Sequence, residues 1–359
     1  MRFLRSLTLL CLPFGATPCV AEVPNVVTDI GPVQSLVAMV MGDLDTAQAI
    51  VPPEMSPHNF ALRPSQARAL DGADLLVWVG PELTPWMEKA TAALSGEARH
   101  IRLLGVDGTT VLSYRDPIKA AEHGHDDHDH DDHDHGDHEN HDHADHDAHE
   151  GHDHDAHDHE GHDHEEHDHG TEAHDDHDHD GQDGHHHEGT DPHAWLDPQN
   201  AAVWIGAIAE SLSEMDPENA DTYRANASDA RAKLDQLKQE VAQQLGDQEN
   251  LGFVTFHDAF QYFEHRFGLQ SSGTVSLGDA SQPSPARLAR LRDAMEERGV
   301  ACAFREPQFT DRLLNAASEG STVTIAVIDP LGVNQEPGAG MYPAIIRAMA
   351  QAMSDCAGQ

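Results

Sequence analysis

Basic residues are scarce in this 359-residue chain: 21 Lys and Arg stand against 64 Asp and Glu, for a formal charge of −43. Phosphate recognition needs a basic face, so a nucleic-acid partner is excluded. Beyond the N-terminal residues no apolar run is long enough to span a bilayer. No glycine-rich loop ends in Gly-Lys-Ser/Thr, which removes the P-loop nucleotide site. His-Glu-x-x-His, the paired helical ligands of many zinc hydrolases, does not occur either. Cysteine is limited to Cys11, Cys19, Cys302 and Cys356.

The first two cysteines fall in a secretory signal. Arg2 and Arg5 supply its charged start, residues 7–12 most of its apolar stretch, and Cys19-Val20-Ala21 its small-residue exit. Pro13, Gly15 and Pro18 argue against a buried helix there. Ala16-Thr17-Pro18 is a poor setting for lipid attachment at Cys19, so a soluble exported product is expected. Export leaves Cys302 and Cys356 as one pair in an oxidising compartment, where a disulfide is the simplest reading. A pair of metal-ligand thiols is the alternative, although neither has a second Cys or His at ligand spacing.

What the chain has in excess is histidine. Twenty-five of its 30 histidines lie between His123 and His187, and residues 122–188 hold 28 acidic side chains and no Lys or Arg. The text repeats as in His125-Asp126-Asp127-His128-Asp129-His130. Imidazole is the commonest metal-binding side chain, and interleaved carboxylates attract divalent cations and steady a coordinated ring. The tract supplies −28 of the charge, so the acidity is mostly local. From 122 to 189 no apolar residue is larger than Ala, so this segment cannot bury a core and is expected to be disordered without metal.

Without the signal and the tract about 270 residues remain, enough for two α/β domains. Strand text at 26–30, 47–51 and 75–79 alternates with helical text at 33–41 and 65–70, which argues a parallel sheet covered by helices. After the tract, Asp197-Pro198 and Asp216-Pro217 each give a helix start, with Asp as cap and Pro in the first turn. The second helix keeps Ala220, Tyr223, Ala227, Ala230, Leu234, Leu237, Val241 and Leu245 on one face until Gly246. A helix that long with one modest stripe suits a backbone joining two domains. Strands at 251–256, 300–304 and 323–328 and helices at 285–297 and 343–353 complete a second α/β unit. The expected map is thus a signal at 1–21, a first lobe at 22–215 carrying the insertion 122–189, a linking helix at 216–246 and a second lobe at 247–359.

Only five histidines lie outside the tract: His58, His100, His193, His257 and His265. His257 directly follows a strand, at the sheet edge where open α/β folds bind ligands, and Asp329 holds the same kind of position. His58 sits in a loop a few residues past a strand, and His193 where the polar tract gives way to structure. Three loop histidines and one carboxylate would make a near-tetrahedral Zn²⁺ site. Each also has a bland reading as a helix cap or a hydrogen-bonded loop residue. His100 and His265 lack the strand-end setting and read as surface residues.

The runs Ser56-Pro57-His58-Asn59-Phe60, Asp74-Leu75-Leu76-Val77-Trp78-Val79-Gly80, His193-Ala194-Trp195-Leu196-Asp197-Pro198, Phe256-His257-Asp258-Ala259-Phe260 and Ile328-Asp329-Pro330-Leu331-Gly332 occur in that order. In them the chain resembles the periplasmic zinc-binding proteins of bacterial high-affinity ABC importers, solute-binding protein family 9, over essentially the whole mature length. The resemblance implies two Rossmann-like lobes with parallel sheets, one long backbone helix between them and metal in the inter-lobe cleft. Carried over by motif, His58 and His193 are first-lobe ligands and His257 a second-lobe ligand. Asp329 matches a second-lobe carboxylate, while some zinc members place Glu where this chain has Pro57, which leaves Asp329, Glu54 or water for the fourth position. The resemblance also matches Cys302 and Cys356 with a disulfide of zinc members. Three imidazoles favour Zn²⁺ over Mn²⁺, and their need to be neutral makes affinity fall as pH drops through ~6.5. The implied partners are an inner-membrane ABC permease with its ATPase, with periplasmic zinc chaperones as further candidates and a monomeric state. The tract then reads as an auxiliary, weaker zinc collector or sensor. A zinc hydrolase, with Glu306 or Asp258 as base, and a periplasmic metal store are the rival readings.

Overall fold

Short buried runs bounded by turn residues make the strands of this chain, and a helix after most of them returns the chain to the start of the next. The computed structural model describes residues 23–115, 189–246, 248, 251–276, 283–310 and 312–358. The expected signal at 1–21 and all but the last residue of the insertion at 122–189 lie outside them. In the first lobe β1 (Val26–Thr28), α1 (Gly31–Met41), β2 (Gln48–Ala49), α2 (Pro64–Asp71), β3 (Leu75–Trp78), α3 (Pro85–Leu94) and β4 (Arg99–Arg102) build a parallel sheet of order β2-β1-β3-β4. Two helices follow, α4 (Pro198–Met215) and α5 (Ala220–Leu245). The second lobe is β5 (Phe253–His257), α6 (Gln261–Phe267), β6 (Gly273–Ser276), α7 (Pro285–Glu297), β7 (Cys302–Arg305), α8 (Arg312–Ala317), β8 (Thr324–Val327) and α9 (Met341–Ala357). Its sheet runs β6-β5-β7-β8, again parallel throughout.

A parallel sheet must be covered on both faces, and the strand text obeys that. Phe253, Cys302 and Phe304 join the large core that continues through α9, α5 and the first lobe. Val254, Phe256 and Ala303, one residue out of phase, join a smaller core with Leu291 and Met295 of α7 and Leu314 of α8. The period of two thus assigns each side chain to one of two cores.

α5 buries the eight residues of the expected stripe, Ala220 to Leu245, and at 26 residues is ~39 Å long. It packs on α4, on α1 of the first lobe and on α9 of the second, so it is the shared spine. Asn226 donates to the Val40 carbonyl of the first lobe, and Arg347 of the second pairs with Glu240. The helix starts at Ala220, later than the Asp216-Pro217 signal. Asp216 instead accepts from Asn219 Nδ2 at 2.7 Å and Tyr223 Oη at 2.8 Å, which holds residues 217–219 as a turn. Asp197 does cap α4, accepting from the Gln199 N–H at 2.8 Å with Pro198 at the first helical position. Cys302 and Cys356 form a disulfide between β7 and the end of α9, which displaces the thiol-ligand alternative.

Two strands escape the hydrophobic reading. β4 is Arg-His-Ile-Arg with mostly exposed side chains, an edge strand joined to β3 through its backbone. β6 is Gly-Thr-Val-Ser, buried on both faces but with one large apolar residue.

Candidate metal centre

In the second sheet the chain leaves β5 toward β6 and β7 toward β8, in opposite directions. The crevice beyond the carboxyl ends of β5 and β7 is therefore the topological switch point. His257, the last residue of β5, stands on one side of it, and Glu306, the first residue after β7, on the other. His257 Nδ1 meets Glu306 Oε1 at 2.9 Å. The carboxylate accepts, so Nδ1 carries the proton and Nε2 offers a lone pair.

His193 is held in the same manner from the first lobe. Asp191 Oδ1 accepts both its backbone N–H, at 3.0 Å, and its Nδ1–H, at 2.7 Å. A single 3₁₀ turn, Ala194–Leu196, then leads into α4. His58 comes from the loop between β2 and α2. Trp86 Nε1 of α3 donates to the Pro57 carbonyl at 2.8 Å, and Gln308 Nε2 of the second lobe donates to the Pro53 carbonyl at 2.6 Å. The His58 N–H donates to Ser56 Oγ.

These supports bring the three rings together. His193 Nε2 lies 3.3 Å from His58 Nε2 and 3.4 Å from His257 Nε2, and one nitrogen of each ring falls within 4.8 Å of the others. Zinc binds imidazole nitrogen at about 2.0–2.1 Å, and the edge of a tetrahedron is 1.63 times that, about 3.3 Å. The two spacings match that edge. His193 and His257 each have Nδ1–H committed to a carboxylate, so each turns an Nε2 lone pair toward the other across 3.4 Å. That arrangement is repulsive without a cation between them. The cavity here, bounded by the three rings with Trp195, Gln308 and Leu331, is about 20 Å³. That is room for one ion or one water.

Burial favours the neutral form of His58 and His193. Desolvation, reinforced by His193 and His257, lowers the His58 pKa well below 6.5. Desolvation and then His257 do the same to His193. Asp191 moves the other way: burial raises its pKa from 3.8 to about 7, against the pull of the His193 N–H and of Arg115 and His257. A divalent cation at the trio would reverse that balance by favouring the carboxylate.

Asp329 is not brought to the trio. Its Oδ1 accepts from the N–H groups of Leu331 at 3.1 Å and Gly332 at 2.9 Å, and its Oδ2 from that of Val333 at 2.6 Å. The turn needs Gly332: it sits at φ +77°, and an added Cβ would lie 2.7 Å from Ile345 Cδ1. Asp329 therefore shapes the loop after β8, and among the described residues the group whose ligand atoms gather at the trio is His58, His193 and His257 alone. Glu54 is exposed. His100 and His265 are exposed as expected, His100 bonding back to Ser95. Of the two carboxylates considered as catalytic bases, Glu306 holds His257 and Asp258 pairs with Arg115 at 3.0 Å. The orienting roles of Asp191 and Glu306 were not legible in the sequence. Only the Asp-x-His text of residues 191–193 hints at the first.

The family model described as zinc-uptake complex component A, periplasmic (ZnuA) matches residues 26–356. The high-affinity zinc uptake system protein ZnuA of Paracoccus denitrificans is 46% identical over 345 residues, which cover 96% of this chain and 95% of that one. Its counterpart from Brucella abortus is 36% identical over 96% of this chain and 94% of its own. A crystal structure of ZnuA superposes with a TM-score of 0.67 over 93% of this chain and 99% of that one. At 21% identity that likeness is one of fold. The motifs, the two-lobed fold, the trio of rings in the cleft and a match spanning nearly the whole chain converge, and the chain belongs to the ZnuA family of periplasmic zinc-uptake components.

Proposed function

We propose that this chain is the periplasmic solute-binding protein of a high-affinity zinc importer. His58, His193 and His257 hold one Zn²⁺ in the inter-lobe cleft, and the chain delivers it to an inner-membrane ABC permease driven by its ATPase. The observation that carries this reading is the convergence of three imidazole nitrogens, two of their spacings at the tetrahedral edge, on a cavity with room for a single ion. The relatives' names give the cargo and the system. The role is binding and delivery rather than catalysis. On this reading the chain divides into a cleavable signal at 1–21, a first lobe at 22–215 carrying the insertion 122–189, a linking helix at 216–246 and a second lobe at 247–359. The His/Asp tract collects or senses zinc at several weaker sites and raises its concentration near His193. A monomer suffices for the site, and periplasmic zinc chaperones are candidate donors.

Calorimetry on the mature chain tests this. The parent should show one tight zinc event followed by weaker ones. The His58→Ala/His193→Ala/His257→Ala variant should lose the tight event and keep the rest. A tight event that survives the triple substitution overturns the assignment.

A further inference from the structure

The insertion that carries the tract leaves and re-enters the first lobe through a narrow neck. Ser113 and Thr190 pair as an antiparallel bridge, flanked by Asp191 N–H to Leu112 O at 2.9 Å and Tyr114 N–H to Gly189 O at 3.1 Å. This neck is fastened to the second lobe. Tyr262 Oη of α6 accepts from the Leu112 N–H at 2.9 Å and donates to the Asp191 carbonyl at 2.7 Å, so it bonds both stems. Arg115, the next residue of the outgoing stem, spreads its guanidinium over two second-lobe carboxylates. Nη2 meets Glu264 Oε1 at 2.7 Å and Asp258 Oδ1 at 3.0 Å, and Nε meets Asp258 Oδ2 at 3.2 Å. Asp258 and Glu264 are 2% exposed and Arg115 20%.

The neck therefore touches the metal centre on both sides. Asp191 on the returning stem orients His193, and Asp258 is the residue after His257. Loops of the first lobe fix His58 and His193, and β5 of the second lobe fixes His257. The 3.4 Å between His193 and His257 is a distance between lobes, and contacts between lobes must set it.

We propose that Arg115 is a positioning residue for zinc. By clamping the neck to Asp258 and Glu264 it holds the His193 loop and the His257 loop at ligand spacing. This rests on the reading of the cleft as the zinc site. Without the guanidinium, two buried carboxylates lose their cation, and the loop after β5 loses the ion pair that seats it against the neck, which frees it to move. That motion carries His257 with it. Arg is required rather than Lys, because a planar fork satisfies two carboxylates at once while an ammonium acts as a point charge.

The test is zinc competition on the full mature chain against a chelator strong enough to keep the tract empty, beside thermal unfolding of the metal-free protein. Arg115→Met should weaken the tight site about tenfold, the lower end of what loss of a ligand's supporting partner costs. Arg115→Lys should lie between it and the parent. Should Arg115→Met fail to fold, Arg115→Lys decides alone, with a loss of about threefold expected. Parent-like affinity in the folded variants, with only the melting temperature lowered, overturns the proposal and leaves Arg115 a purely structural ion pair. A parent chain without a tight site would instead sink the reading of the cleft.

Discussion

Replacing Asp191 by Asn should stabilise the metal-free protein and weaken its hold on zinc. In the folded chain burial moves the Asp191 pKa from 3.8 to about 7. A carboxyl whose folded pKa lies above its unfolded value binds protons more tightly in the native state. Stability is then fullest below pH 3.8 and is lost as pH rises through about 7. A shift of about three units corresponds to a ceiling of ~4 kcal/mol at pH 8. Asn removes that cost and keeps an oxygen for the His193 N–H and Nδ1–H. Its new NH₂ group meets Gln261, whose amide can turn so that its oxygen accepts. The metal-free variant should thus melt higher at pH 8 and lose part of the parent's decline in stability between pH 5 and 8, the rest staying with Asp29 and Asp258, which burial also raises to about 7. Zinc binding responds with the opposite sign. A carboxylate behind a metal-bound imidazole raises its basicity, and its loss costs 10–100-fold in affinity, or about 1.4–2.8 kcal/mol. Urea unfolding of the metal-free protein and chelator competition for zinc measure the two effects. A variant that is no more stable at pH 8 and binds zinc as tightly as the parent would refute the reasoning, because Asp191 would then be neither strained by burial nor coupled to the metal.

Two further outcomes follow from the same physics. His58 and His193 have pKa values well below 6.5, so they stay neutral at pH 6 and zinc binding should persist there. A binding midpoint at 6.5, measured with a buffered chelator, would show rings that titrate like free imidazole. For the metal-free fold, the same depressed values mean that stability falls as pH drops below 6.5 toward the folded pKa values. Replacing Cys302 and Cys356 by Ala opens a loop of 54 residues' separation, which on the chain-entropy model costs at most ~4 kcal/mol of stability. Zinc affinity should not change, because the bridge lies at the amino end of β7, away from the carboxyl ends that carry the site. A loss of affinity would tie the disulfide to the cleft.

Much of the fold was legible because period and punctuation are local. The spine stripe from Ala220 to Leu245, the Asp197 cap and the helix Pro285–Glu297 all appear as read, since each depends on residues within a few positions of one another. β4 and β6 were missed for the converse reason. Their text has little strand character of its own, and pairing to the neighbouring strands β3 and β5 stabilises it.

The site divides along the same line. The sequence by itself pointed to a metal through the abundance of histidine, to the candidate rings through the scarcity of histidine outside the tract, and to an oxidising compartment through the cysteine pair. Only the tertiary structure decided which carboxylates stand behind the rings, that Asp329 is spent on a turn, and that Arg115 bridges the lobes beside two of the three histidines. Those choices depend on hydrogen bonds of about 3 Å between residues as far apart as Arg115 and Glu264. No spacing along the chain encodes such a distance, because it is set by how the two lobes pack on a shared helix.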